Sequence, residues 1–210
     1  MVRGKFIVLE GCDGVGKTTQ AKLLEKRLPG AHRIAFPMRE CGESGAVINA
    51  YLKGKDNSVL KGIPIEEWFT RNRREAQEII KDHLLSGYPV ICDRYYASGL
   101  AYAVACENQN LETRLHEERG LIEPDLVLWL RMPVTKLTER ATFGKERYEN
   151  VETQTRVDET FDKLFASTED DEAICCHAQI IDASNSVEIV HDSIVNAVDG
   201  SMTIDSLYYV

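Results

Sequence analysis

Nowhere in the 210 residues does an apolar run approach the roughly 20 residues needed to cross a bilayer, so neither a spanning helix nor a membrane partner is expected. The opening stretch MVRGKFIVLEG is continuously apolar only from Phe6 to Leu9 before Glu10 intervenes, too little for a signal-peptide core. A cytoplasmic location is the expectation, with nuclear or organellar presence left open. Cysteine is sparse. Cys12, Cys41, Cys92, Cys106, Cys175 and Cys176 show neither CxxC spacing nor the density of a disulfide scaffold, and they read as reduced thiols. The adjacent pair Cys175 and Cys176 reads as buried small side chains, with a metal or redox role as the alternative. Basic charge is short as well: 25 lysines and arginines against 34 aspartates and glutamates leave a net −9, which argues against a duplex-DNA binder. Repeats, low-complexity tracts and linkers are also missing. With 43% hydrophobic and 28% charged residues the chain reads as one soluble domain over residues 1–210.

What is present alternates. KFIVLE is a short apolar strand that stops at a glycine loop, and Lys17 to Leu28 then puts Ala21, Leu24 and Leu28 on one helical face. RIAF reads as a strand, GAVINAYL as a short helix, and IPIEEWFTRNRREAQEIIKDHLLSG as a long helix with Pro64 near its first turn and Gly87 at its stop. YPVICDR and DLVLWLRM follow as buried strands, Pro133 opens another helix, QIIDA is a late strand, and Ser186 caps a last helix through Val198. Strands that are apolar throughout, alternating with helices, imply an α/β fold of three layers, a parallel sheet covered on both faces. Ligands in such folds sit at the carboxyl ends of the strands. Residues 138–154, TERATFGKERYENVETQ, are polar and basic and read as a lid, while the tail SMTIDSLYYV reads as either an edge strand or a loose end.

Gly11, Gly16, Lys17 and Thr18 satisfy GxxxxGK[ST] between a strand and a helix, which is the context a phosphate cradle needs. The glycines let backbone N–H groups curl around phosphate oxygens, and the helix start adds partial positive charge. Lys17 would bridge the β- and γ-phosphates of ATP, and the Thr18 hydroxyl would hold Mg²⁺. A guanine-reading NKxD motif is missing, which argues against a switch GTPase. Asp93 ends a buried strand, where a second carboxylate can reach the magnesium shell, although an Asp93–Arg94 structural ion pair is an equal reading. Arg39 also lies just beyond a strand. Phe69 and Arg73, one helical turn apart, point the same way, while Arg71 and Arg74 read as solvated surface. One aromatic and three arginines can hold a base by stacking and a monophosphate by charge-assisted hydrogen bonds.

The segments FIVLEGCDGVGKTTQ, FPMRE, WFTRNRREA, CDRYYASGLAYA, PDLVLWL, TFGKERYE and DASNSVE, in this order and over nearly the whole chain, resemble the thymidylate kinase family, most of all its eukaryotic branch. The resemblance implies the P-loop fold with about five parallel strands, transfer of phosphate from Mg·ATP to dTMP, and a homodimer. ATP would be held by Gly11, Cys12, Asp13, Gly14, Val15, Gly16, Lys17, Thr18 and Thr19, with Arg140 against the adenine, and the metal by Thr18 and Asp93. The acceptor site would include Phe36 and Pro37. Asp13 would accept from the deoxyribose 3′-hydroxyl, Arg39 and Arg94 would clamp the acceptor phosphate, and Phe69 would stack on thymine. Arg73 would donate to the thymine O4, favouring a keto oxygen over an amino group. Ser98 and Gly99 would line the pocket, Tyr102 would crowd a ribose 2′-hydroxyl, and Tyr148 would close over the nucleoside.

One position departs from the family pattern. The residue after the loop aspartate is usually basic in the eukaryotic branch, whereas here it is Gly14, so Lys145 or Arg147 of the lid is expected to supply the missing charge. The rival readings are a deoxynucleoside kinase, with Glu10 or Asp93 as general base, and a non-catalytic nucleotide-binding module.

Overall fold

Continuous apolar runs in the sequence become strands buried on both faces. In the computed structural model, which describes residues 2–54, 57–140, 144, 146–165, 178–201 and 206–210, Phe6–Glu10 forms β1 and every one of its residues is buried. Beside it lie β2 (His32–Ala35), β3 (Val90–Asp93), β4 (Leu126–Arg131) and β5 (Ala178–Asp182), all parallel, in the order β2-β3-β1-β4-β5. β5 is an edge strand, as is β2, and in β5 the apolar run is only partly covered, with Ile180 exposed. The register sets Leu9 and Ala35 against Asp93 and Glu10 against Trp129, so the carboxyl ends of four strands open onto one rim.

The helices cover both faces. They are α1 (Lys17–Arg27), α2 (Gly42–Leu52), α3 (Ile65–Leu85), α4 (Tyr96–Glu107), α5 (Leu111–Glu118), α6 (Val134–Leu137), α7 (Val151–Phe165) and α8 (Val187–Gly200). The long helix α3 starts after Pro64 and ends before Gly87, whose left-handed backbone stops it while its N–H returns to Leu84. Ser186 caps α8 through Ile189 N–H. Most apolar side chains join one core around Phe6, Leu9, Leu24, Ile80, Leu128 and Trp129. A smaller cluster, Val47, Ile48, Tyr51, Leu52, Ile65 and Trp68, locks α2 onto α3, with Phe69 and Tyr148 packed against it.

Two expectations are refined. The end of the segment 138–154 expected as a lid is helical, since Val151 to Gln154 form the first turn of α7, capped by the Asn150 carboxamide accepting from Thr153 N–H at 2.9 Å. The described end of the tail, residues 206–210, is clipped to the segment before β4: Val210 exchanges backbone hydrogen bonds with Gly120 and Leu121, and Glu123 N–H donates to Tyr208 O at 2.8 Å. Arg3 secures the same end by donating to Ser206 O at 3.0 Å while gripping buried Asp125 at 2.8 and 2.6 Å. Cys12, Cys41, Cys92 and Cys106 are free thiols; Cys175 and Cys176 lie outside the described residues.

Candidate active site

A cavity of about 590 Å³ lies on the rim formed by the carboxyl ends of β1, β2 and β3. Its floor is the loop from β1 to α1. At Gly11 the backbone has φ 138°, and a Cβ would sit 2.3 Å from Leu130 O; at Gly16, which starts α1, φ is 109°. Only glycine adopts these conformations without strain, so the loop's curl follows from its composition. Lys17 is buried and folds back over the loop, donating to Gly11 O at 2.9 Å and Cys12 O at 2.7 Å. Burial, helped by nearby Arg94, lowers its ammonium to about 8. The Thr18 hydroxyl donates to the Asp93 carboxylate at 2.5 Å, joining α1 to the end of β3.

Arg94 adopts a left-handed backbone, φ 69°, one residue beyond β3, and this turns its side chain back across the loop. Its guanidinium donates to Gly11 O at 3.0 Å, Ser98 Oγ at 2.9 Å and Asp13 Oδ1 at 2.5 Å. Asp13 also accepts from the Tyr102 hydroxyl at 2.7 Å and from Gln154 Nε2 at 3.0 Å. Burial pushes the Asp13 carboxyl up, but Arg94 and Lys17 outweigh it and hold the group below the ordinary carboxylate value. Asp13 is therefore an anion facing the cavity. Ser98, at the start of α4, is fixed by Glu10, whose carboxylate accepts from Tyr95 N–H at 2.8 Å, Ser98 N–H at 3.1 Å and Ser98 Oγ. Burial pushes the Glu10 carboxyl up despite these donors.

The loop after β2 carries Phe36 and Pro37, joined by a cis peptide, and then Arg39. Asn72 of α3 ties this loop down, accepting from Met38 N–H at 2.7 Å and donating to Met38 O at 3.2 Å. Arg39 is about one-third exposed and pairs with Glu146 at 2.8 Å. At the far end of the cavity stand Phe69 and Arg73 of α3. Helix α4 offers Gly99 there, where a Cβ would approach the Arg73 guanidinium to 2.6 Å. Arg73 is buried and pairs with Glu118 of α5 through Nε at 2.9 Å and through Nη2. Tyr148 closes the side, its hydroxyl 3.1 Å from that of Tyr51 and 3.2 Å from Glu107.

Asp13, Gly14, Gly16, Lys17, Thr18, Thr19, Phe36, Pro37, Arg39, Phe69, Arg73, Asp93, Arg94, Ser98, Gly99, Tyr102, Arg140 and Tyr148 thus border one cavity. Gly11, Cys12 and Val15 lie beneath it; Val15 belongs to the core, and the Cys12 thiol, pushed up to about 12 by burial, faces Gln154 O at 3.5 Å. Arg147 does not reach the cavity. Its guanidinium lies 4.0 Å over the Tyr51 ring, where a π-face and Asn57 hold it. Arg140 instead donates to Gly14 O at 2.9 Å, beside the position that lacks a basic side chain. Lys145 lies outside the described residues.

Sequence reasoning passed over Gln154. Fully buried at the start of α7, it accepts from Asp13 N–H at 2.7 Å and donates to Tyr148 O at 3.0 Å as well as to Asp13, so the segment before α7 and the phosphate loop share one amide. Its only signal was a polar residue in place of an apolar one on a helix face that also carries Val157 and Phe161.

A five-stranded parallel sheet, a glycine cradle and a Thr–Asp oxygen pair beside it define a P-loop nucleotide-binding protein of the kinase type. The Thymidylate kinase family model matches residues 9–194. Over 200 residues the chain is 40% identical to the thymidylate kinase of Plasmodium falciparum, covering 93% of this chain and 90% of that protein. It is 37% identical over 196 residues to the thymidylate kinase of Homo sapiens, covering 91% and 88%. A solved thymidylate kinase from Candida albicans superposes with a TM-score of 0.86 at 28% identity, over 100% of this chain and 99% of the other. The chain belongs to the thymidylate kinase family.

Proposed function

We propose that this protein transfers the γ-phosphoryl group of ATP to dTMP, giving dTDP and ADP. The observation that carries this reading is the Asp13 cluster, in which a residue of the phosphate loop is bonded to Arg94, Tyr102 and Gln154 within one cavity. A donor loop and an acceptor pocket that share a carboxylate suit direct transfer between two bound nucleotides.

The nucleophile is an oxygen of the dTMP phosphate, whose second pKa is about 6, so the group is already largely dianionic at neutral pH. That oxygen forms a bond to the γ-phosphorus as the bond to the β,γ-bridging oxygen breaks, and the electron pair leaves on ADP. No general base is needed. The chain's task is to hold two anions in line and offset their repulsion with Lys17, Arg94 and Arg39. Lys17 donates to Gly11 O and Cys12 O, contacts it would exchange for phosphate oxygens. Arg39 likewise exchanges Glu146 for the acceptor phosphate. Phe69 stacks on thymine and Arg73 donates to O4, while Tyr102 and Asp13 meet the sugar.

Thr18 and Asp93 offer hard oxygens 2.5 Å apart at the start of α1, a donor set that fits Mg²⁺. When bound, the ion supplies neutralisation of phosphate charge. For the charge missing at Gly14 we favour Arg140, on the strength of its 2.9 Å contact with Gly14 O, over Arg147 on Tyr51. A deoxynucleoside kinase would need a free carboxylate base. Glu10 is enclosed by Ser98 and Tyr95, and Asp93 accepts from Thr18, which disfavours both.

No described helix is long and apolar enough to cross a membrane. A single domain, a homodimer and a cytoplasmic location complete the proposal. The test is a panel of nucleoside monophosphates, with thymidine beside them, offered with Mg·ATP and followed by ADP release. dTMP should be the preferred acceptor; turnover with thymidine and none with dTMP would refute the reading.

A further inference from the structure

Arg73 is held by machinery that phosphoryl transfer does not require. Its Nε donates to Glu118 Oε2 at 2.9 Å, and its Nη2 donates to Glu118 Oε1 and lies 3.3 Å from Thr70 Oγ1. Glu118, at the end of α5, is fully buried and 45 residues away in sequence. Thr70 donates to the same carboxylate at 2.7 Å, and Arg114 approaches it to 3.8 Å. Among the described residues Arg73 Nη1 has no hydrogen-bond partner, while Arg73 borders the cavity beside Gly99.

A free arginine side chain only donates but has many rotamers, so it can swing away from an amino group toward another acceptor of the base; a two-point carboxylate contact fixes the plane of the guanidinium. With Nε and Nη2 committed, Nη1 is the donor left for the cavity. A keto oxygen accepts from it. An amino group at the same place sets donor against donor and strands both.

We infer that Glu118 is a positioning residue for acceptor-base discrimination: by fixing the fork of Arg73 it presents Nη1 alone to the base, so that a 4-keto pyrimidine is accepted and a 4-amino pyrimidine refused. The inference rests on the reading of this cavity as a pyrimidine nucleotide site. Glu118 touches no substrate and acts through Arg73. Burial pushes its carboxyl up, but Arg73 more than compensates and keeps it ionised.

The test compares wild type, Glu118→Gln, Arg73→Gln and the double variant, measuring kcat and KM for dTMP and dCMP and KM for ATP. Glu118→Gln should lower the dTMP-to-dCMP ratio of kcat/KM by about tenfold, chiefly through KM for dTMP, and leave KM for ATP within about twofold. In the Arg73→Gln background the same change should have little further effect, since the residue it acts through is gone. Glu118→Gln also leaves two buried arginines facing each other, so Glu118→Gln with Arg114→Gln, which removes one cation for one anion, carries the comparison should the single variant melt early. An unchanged ratio in both Glu118 variants beside a reduced ratio in Arg73→Gln overturns this inference alone. An unchanged ratio in Arg73→Gln, or a wild type that does not phosphorylate dTMP, overturns it together with the base assignment.

Discussion

Replacing Gln154 by alanine should loosen the phosphate loop and the lid at once. The change leaves Asp13 N–H without its 2.7 Å acceptor, the Asp13 carboxylate without a 3.0 Å donor and Tyr148 O without a 3.0 Å donor. A stranded, partly buried N–H costs about 1–3 kcal/mol and each further lost bond about 1 kcal/mol, and because the bonds share one side chain the total is set at ~3 kcal/mol. For a chain of this size about 1 kcal/mol moves the melting midpoint by roughly 2–4 °C, so the ligand-free variant should melt roughly 6–12 °C lower. Calorimetric melting gives this directly, and steady-state kinetics should show kcat/KM falling at least about tenfold for both nucleotides if, as proposed, Asp13 serves both halves of the site. Gln154→Glu sharpens the test. It keeps an acceptor for Asp13 N–H but sets a second carboxylate against Asp13, so its activity relative to wild type should recover as falling pH protonates the pair. A Gln154→Ala protein that melts within about 1 °C of wild type and turns over within about twofold would refute the assignment of Gln154 as the shared anchor.

Lys17, lowered from 10.5 to about 8, should give opposite pH trends in stability and binding. The unfolded chain binds the extra proton between those values, so this group's contribution to stability is fully present above 10.5, is lost as pH falls through about 8, and appears as a rise in ligand-free stability across pH 8 to 10.5. ATP affinity, titrated without acceptor, should instead weaken as pH rises past about 8 and the ammonium loses its charge. Arg39→Ala should raise the dissociation constant for dTMP while leaving ATP binding nearly intact; equal loss of both would contradict its role. Glu146→Gln frees Arg39 from a half-exposed pair worth at most about 1 kcal/mol, so dTMP should bind up to about fivefold more tightly in an equilibrium titration. Among the lid cations, Arg140→Gln should lower kcat at least about tenfold and more than Lys145→Gln or Arg147→Gln; the reverse order would return the missing charge to the sequence-based candidates.

The parts legible in the sequence were those with local signatures. The sheet declared itself through apolar runs such as Phe6–Leu9 and Leu126–Leu130, the cradle through Gly11 and Gly16, and the long helix through Pro64 and Gly87. Phe69 and Arg73 were legible because helical periodicity alone puts them on one face. Gln154 and Glu118 were not. Each is a polar residue in an amphipathic helix, where solvent exposure is the ordinary expectation, and each meets its partner across 141 or 45 residues. For Arg147 the resemblance offered a role toward the phosphates, and nothing in the sequence announced its seat over the Tyr51 ring. The tail's antiparallel clip on residues 120–123 leaves no trace in SMTIDSLYYV, because backbone pairing with a turn needs no particular side chains.

On the proposed reading Asp13 belongs by sequence to the donor loop and by hydrogen bonding to the acceptor wall. A small molecule that pulls this carboxylate toward the sugar pocket must therefore also tug the curve on which triphosphate rests. Inhibitors aimed at the two compartments should not act independently, and a resistance substitution that relieves one of them ought to alter potency of the other.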